Sequence, residues 1–161
     1  MKSQTVLELS RYGINGRLVI VSQNINMVTL TSSINPAMNR YDPDNAPDPA
    51  EWLALEELTR IQLVEEHHRM ARIKLPNLKA HAIFHAIVEN QVAENLDPVV
   101  RAMTRLTSEG LNRHEAVHAI ASVVAEHIHD LFNAKADADN SQSIYYAAVE
   151  QLTAKRWREG S

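Results

Sequence analysis

The chain contains no cysteine, so no disulfide can staple it and no thiolate can ligate a metal; any metal site must be built from His, Asp and Glu. Nor is there an excess of positive charge. Lys and Arg total 16 against 20 for Asp and Glu, and the net charge of -4 leaves no electrostatic footprint for a nucleic-acid backbone or an anionic membrane. Long apolar runs are missing too: the opening Met-Lys-Ser-Gln-Thr-Val-Leu lacks the apolar core of a secretory signal, and no later stretch is long enough to cross a bilayer. The expectation from these absences is a cytoplasmic, bacterial-type protein that engages neither nucleic acid nor membrane.

What remains is 161 residues at 45% hydrophobic content, enough to bury one ordinary core. Residues 1–35 differ in character from the rest. β-Branched residues around Arg17 to Val21 and a Gly-Ile-Asn-Gly stretch predict at most a weak hairpin, a poorly ordered or weakly β extension outside the fold. On a second reading the functional chain begins near Met27 or Met38. Residues 36–158 read as a single all-α domain, a compact bundle of about five helices.

The helical part opens with Tyr-Asp-Pro-Asp-Asn-Ala-Pro-Asp-Pro-Ala-Glu from Tyr41, whose prolines and Asp or Asn residues forbid regular helix and specify a tight clasp. Asp48 then fits an N-cap, Pro49 the first helical position and Glu51 the reciprocal acid of a capping box. One helical region from there runs to about Ile73, with Glu56 as the place where it can break and a buried stripe of Leu58, Ile61, Val64 and His68. Leu75-Pro76-Asn77 ends it and caps a second helix, apolar on most faces and therefore expected at the centre of the bundle. Asp97-Pro98 starts a short helix to about Thr107, and Gly110 stops it. Asn112 begins the longest helix, to about Phe132. After a polar loop, a last amphipathic helix carries Tyr145, Val149, Leu152 and Trp157.

Six of the eight histidines stand at 67, 68, 81, 85, 114 and 118. His67 and His68 end one helix and His81 and His85 start the next, across a connection so short that the two helices must be antiparallel neighbours. The short helix from Pro98 carries the chain back, so His114 and His118 are expected at the same end. Residues four apart share a helix face, which aligns His81, His85 and Glu89, and separately His114 with His118. Glu65 and His68, like Glu115 and His118, have the Glu-x-x-His spacing that lets a carboxylate and an imidazole ligate from one helix. The candidate metal ligands are therefore His81, His85, Glu89, His114, His118 and His68, and the candidate ions zinc, iron or manganese, singly or as a pair.

Each feature also has a plain structural explanation. His-x-x-x-His arises often on helices, and a histidine beside an apolar face is commonly a satisfied core residue. His127 and His129, more than two turns beyond His118, read as surface or second-layer residues. The run His114-Glu115-Ala116-Val117-His118 matches the His-Glu-x-x-His of zinc hydrolases, in which the acid activates water. Yet Glu115 stands three residues after Asn112, where a capping box would employ it, and no Gly-turn with a third histidine follows. Glu115 and Glu65 are the candidate proton-moving residues if the site is catalytic.

The motif from Tyr41 to Leu55, together with Leu-Asn-Arg-His-Glu-Ala-Val-His-Ala-Ile from Leu111, resembles a bacterial family known only as a domain of unknown function, over roughly residues 36 to 158. The resemblance implies a compact helical protein and no particular reaction. Hemerythrin-like proteins are similar in a looser way, with His-x-x-x-Glu then His-x-x-x-His on successive bundle helices, matched by His85 with Glu89 and His114 with His118. The closing His-x-x-x-x-Asp element of that family is absent. Two functional readings follow: a helical protein binding one or two divalent ions, or a non-enzymatic interaction module, joined to a protein partner or a second copy, whose histidines hydrogen-bond within the core.

Overall fold

Capping chemistry sets where the helices begin. In the computed structural model, which describes residues 7–8, 21–22, 38, 40–133 and 140–160, the Asp48 carboxylate accepts from the backbone N–H groups of Ala50 and Glu51, both at 3.0 Å. This starts α1 (Pro49–Ala54) with proline at a position whose missing N–H costs nothing. Asn77 likewise accepts from Ala80 N at 3.0 Å to start α3 (Leu78–Ala93). Asn112 and Glu115 form a reciprocal capping box at the head of α5 (Arg113–Phe132).

Left-handed residues make the tight returns. Arg72 (φ 56°) turns the chain after α2 (Glu57–Met70), and Asn95 (φ 55°) between α3 and α4 (Asp97–Ser108). Gly110 (φ 92°) does so before α5, where a side chain would be strained by the backbone angle itself. The last helical segments are α6 (Ser141–Gln151) and α7 (Ala154–Gly160). The fold is all-α.

Seven helices occur among the described residues where the sequence predicts about five, because two predicted helices are each broken once. The first breaks at Leu55, which is extended; Arg60 donates to its carbonyl from Nη2 at 2.8 Å and Nε at 3.1 Å, and to Leu53 O at 3.2 Å. Arg105 does the same at the second break, donating to Val149 O (2.9 Å) and to Leu152 O from Nε and Nη2 (3.1 and 3.0 Å). Each guanidinium thus satisfies carbonyls that an interrupted helix would leave exposed.

The chain divides into two units, residues 1–33 and 34–161. In the first, Leu7–Glu8 (β1) pairs antiparallel with Val21–Ser22 (β2). The Gly-Ile-Asn-Gly stretch and the possible start at Met27 lie outside the described residues.

In the second unit α3 packs against α1, α2, α4 and α5, the central place its all-round apolar surface predicts. α5 also meets α4, α6 and α7. Along α5, Val117, Ile120, Val124 and Ile128 are buried, each such side chain contributing about 1.5–3 kcal/mol of transfer free energy. A second cluster joins Met38, Tyr41, Trp52, Leu55, Leu63 and Val64 to Ala82 and Ala86 of α3. The stripe on α2 differs from the predicted one. Leu58 is 51% exposed, and Thr59, Leu63, Val64 and His68 are buried. Because the chain is extended at Leu55, α2 starts in a new phase instead of continuing the face that buries Trp52.

Candidate metal centre

The topology brings three helix ends together. His68 lies in the last turns of α2, His81 and His85 in the first turns of α3, and His114 and His118 in the first turns of α5. One nitrogen from each of His68, His81, His85 and His118 falls within a group whose members lie no more than 4.8 Å apart. His114 stands against this group, its ring centroid 4.4 Å from that of His118 and 5.2 Å from that of His85.

The inner ring atoms divide into a bonded pair, on His68 and His81, and three Nε2 atoms unpartnered among the described residues, on His85, His114 and His118. His68 Nδ1 lies 2.9 Å from Val64 O, a contact it can make only as an N–H donor, so the neutral ring carries its lone pair on Nε2. That Nε2 is 3.1 Å from His81 Nε2. His85 is fully buried; its Nδ1 lies 3.4 Å from Tyr41 Oη and its Nε2 has no partner among the described residues. The buried Nε2 atoms of His114 and His118 are unpartnered in the same way. Leaving a buried polar atom unsatisfied costs about 1–3 kcal/mol, so three of them weigh heavily in a domain stable by about 5–15 kcal/mol.

Burial, more than any neighbour, keeps these rings neutral. It pushes His81 down to about 4, with the charges of His68 and His114 adding to the effect. His118 is pushed to about 3 by burial and then by His114, His81 and His68. Burial lowers His85 furthest and also lowers His68 and His114, although Asp44 and Asp42 pull His114 the other way. At neutral pH the cluster therefore presents uncharged imidazoles, the form that binds metal.

Glu89, aligned by sequence with His81 and His85, stands elsewhere. Its carboxylate is fully buried and accepts from Tyr41 Oη at 2.6 Å, from Arg113 Nη1 at 2.8 Å and from Arg113 Nη2 at 2.6 Å. One turn deeper than His85, it meets the clasp and the head of α5 and is not among the four grouped residues. Its place is behind them: Tyr41 donates to Glu89, and the same hydroxyl oxygen can accept from His85 Nδ1–H. Arg113 Nη1 also donates to Pro43 O at 2.8 Å, fastening the clasp.

Neither proton-moving candidate is among the grouped residues. Glu65, its side chain 21% exposed, pairs with Arg69 at 3.8 Å. Glu115 Oε2 accepts from Asn112 N at 2.8 Å, so its carboxylate serves its own helix start. His67, beside the group, has Nδ1 3.1 Å from Tyr41 O and packs edge-on to His68 and His114. His129 is exposed, as the sequence reading places it, but His127 is only 8% exposed, its Nε2 2.8 Å from Ser141 Oγ and its ring against Tyr145. It belongs to the α5–α6 interface.

Sequence reasoning missed Tyr41 and Arg113 as parts of the site. A signal was present: a glutamate on a helix buried all round must find a cation, and Arg113 stands next to His114. Compared with protein-family models, curated proteins and solved structures, the chain finds no match in any of the three. Among the described residues no helix is long and apolar enough to cross a membrane.

Proposed function

We propose that this protein binds a divalent transition-metal ion through His68, His81, His85 and His118, with His114 as an adjoining nitrogen. The observation that carries the reading is the convergence of imidazoles from three helices with buried, unpartnered Nε2 atoms at His85 and His118. An all-imidazole set suits zinc or iron. Manganese, which favours oxygen donors, loses support because Glu89, Glu65 and Glu115 are engaged elsewhere. The likeness to an uncharacterised bacterial family belongs to the same reading, since one of its motifs supplies Tyr41 and the other supplies His114 and His118.

The test is elemental analysis of protein purified without a histidine tag, followed by calorimetric titration of the chelator-treated protein with zinc and iron(II). Near-stoichiometric metal in the parent, and none in a folded His85→Ala, His118→Ala variant, is the expected result. A parent that arrives empty and takes up neither ion refutes the reading.

A second reading, an interaction module whose histidines serve the core, is supported by the bonds of His68 to Val64 O and to His81. It expects no change in Tm on adding metal or chelator, whereas a metal held at 100 times its Kd adds about 2.7 kcal/mol.

A further inference from the structure

A cleft of about 220 Å³ lies against the histidine group, and three of the four grouped residues, His81, His85 and His118, line it. Its remaining wall is formed by Phe84 of α3 and by Ala121, Ser122 and Ala125 of α5. His68 is absent from the lining, so the cleft meets the cluster on the face bounded by the other three.

The dimensions and lining restrict what could enter. At about 30 Å³ per water the space holds roughly seven water molecules, less than the pockets of about 300–1,000 Å³ that take drug-sized ligands. The wall offers apolar surface from Phe84, Ala121 and Ala125 and one hydroxyl, Ser122 Oγ, which donates to Ala119 O at 2.8 Å and keeps lone pairs free. No Lys, Arg, Asp or Glu is among the lining residues, so the walls favour neither sign of charge, while a divalent ion held by neutral imidazoles would keep its +2 charge and disfavour a cation. Among the lining residues His85 is wholly buried, with Nε2 unpartnered.

We propose that this cleft is the ligand entrance of the metal site, admitting a small neutral or anionic molecule that binds the ion through one donor atom on the His81, His85 and His118 face. The inference rests on the metal-binding reading and adds to it an open coordination position and a substrate class. A whole nucleotide is too large for the space.

Nitric oxide is a suitable probe, being small, uncharged and visible by electron paramagnetic resonance when bound to iron(II). The full chain is freed of metal, loaded anaerobically with iron(II), assayed for bound iron and titrated with nitric oxide. The parent should form the iron–nitrosyl species. Ala125→Phe, which narrows the cleft without touching a histidine, should keep its iron and bind nitric oxide at least roughly tenfold more weakly, a loss of about 1.4 kcal/mol. Ser122→Leu, at an exposed position, serves the same purpose should Ala125→Phe fail to fold. Bound iron without a nitrosyl signal overturns the entrance and leaves the metal site standing, as does undiminished binding in the folded cleft variants. A chain that takes up no iron overturns the entrance, and one that also refuses zinc overturns the metal reading with it.

Discussion

Arg113 grips both oxygens of the Glu89 carboxylate, Nη1 on Oε1 at 2.8 Å and Nη2 on Oε2 at 2.6 Å, with the Glu89 side chain fully buried and that of Arg113 13% exposed. The pair joins the head of α5 to the middle of α3, directly behind the histidines. Removing one partner strands the other. Arg113→Met should therefore lower stability by about 3–5 kcal/mol in urea titrations, while an Arg113→Met, Glu89→Met double variant recovers most of the loss. Equal losses in the single and double variants would show that the guanidinium matters for something other than the buried carboxylate.

Tyr41 is the link between that pair and the histidine cluster, donating to Glu89 at 2.6 Å and lying 3.4 Å from His85 Nδ1. Its own ionisation is pushed well upward, by burial first and then by the Glu89 charge, so the hydroxyl stays a donor. Tyr41→Phe removes a hydrogen bond to a charged group and should cost about 1.5–3 kcal/mol of stability. It should also weaken zinc or iron(II) binding by about 10–100-fold, because His85 loses the contact that sets its tautomer. Calorimetry on the folded variant separates the effects: lowered stability with unchanged metal affinity would confine Tyr41 to the core.

Acidification tests the histidines without a mutation. In the metal-free protein His81 is held down to about 4 and His118 to about 3, against an ordinary value of 6.5 that the unfolded chain recovers. Between those limits the unfolded state binds more protons, so stability is full above pH 6.5, falls as pH drops through the interval and levels off below the folded values. Urea midpoints in EDTA at pH 7.5, 6 and 5, above most carboxylate titration, should decline in that order. The decline should shrink in a folded His81→Gln, His118→Gln variant. A flat profile in the parent would mean that the rings protonate without resistance and that burial does not govern them.

Local chemistry made much of this arrangement readable. The caps at Asp48, Asn77 and Asn112 mark the starts of α1, α3 and α5, and the short Leu75-Pro76-Asn77 connection makes α2 and α3 a hairpin, whose geometry puts His68 beside His81. The fate of Glu89 was readable only as a need for a partner, because helical spacing gives a residue's face but not what stands opposite one turn further along. There the clasp supplies Tyr41 and α5 supplies Arg113, both distant in sequence. The place of His127 at the α5–α6 interface was not readable for the same reason. Its burial comes from Ser141 and Tyr145 of α6, beyond a polar stretch of sequence that carries no periodic signal.

Glu115 separates two meanings of the His114-Glu-Ala-Val-His118 string. If the carboxylate activated a metal-bound water, replacing it would abolish chemistry and leave the helix intact. Its Oε2 instead accepts from Asn112 N at 2.8 Å, while Asn112 Oδ1 accepts from Glu115 N at 2.7 Å, so both groups satisfy the first turn of α5. Breaking one half of this reciprocal cap by Glu115→Ala should cost about 0.5–2 kcal/mol, read as a lower urea midpoint. Metal content and zinc affinity should match the parent, since the four grouped nitrogens do not depend on the glutamate. His118→Ala should give the opposite pattern, with metal lost while the capping box persists. A Glu115→Ala protein of parental stability that has lost its metal would reverse the assignment and restore the carboxylate to the site.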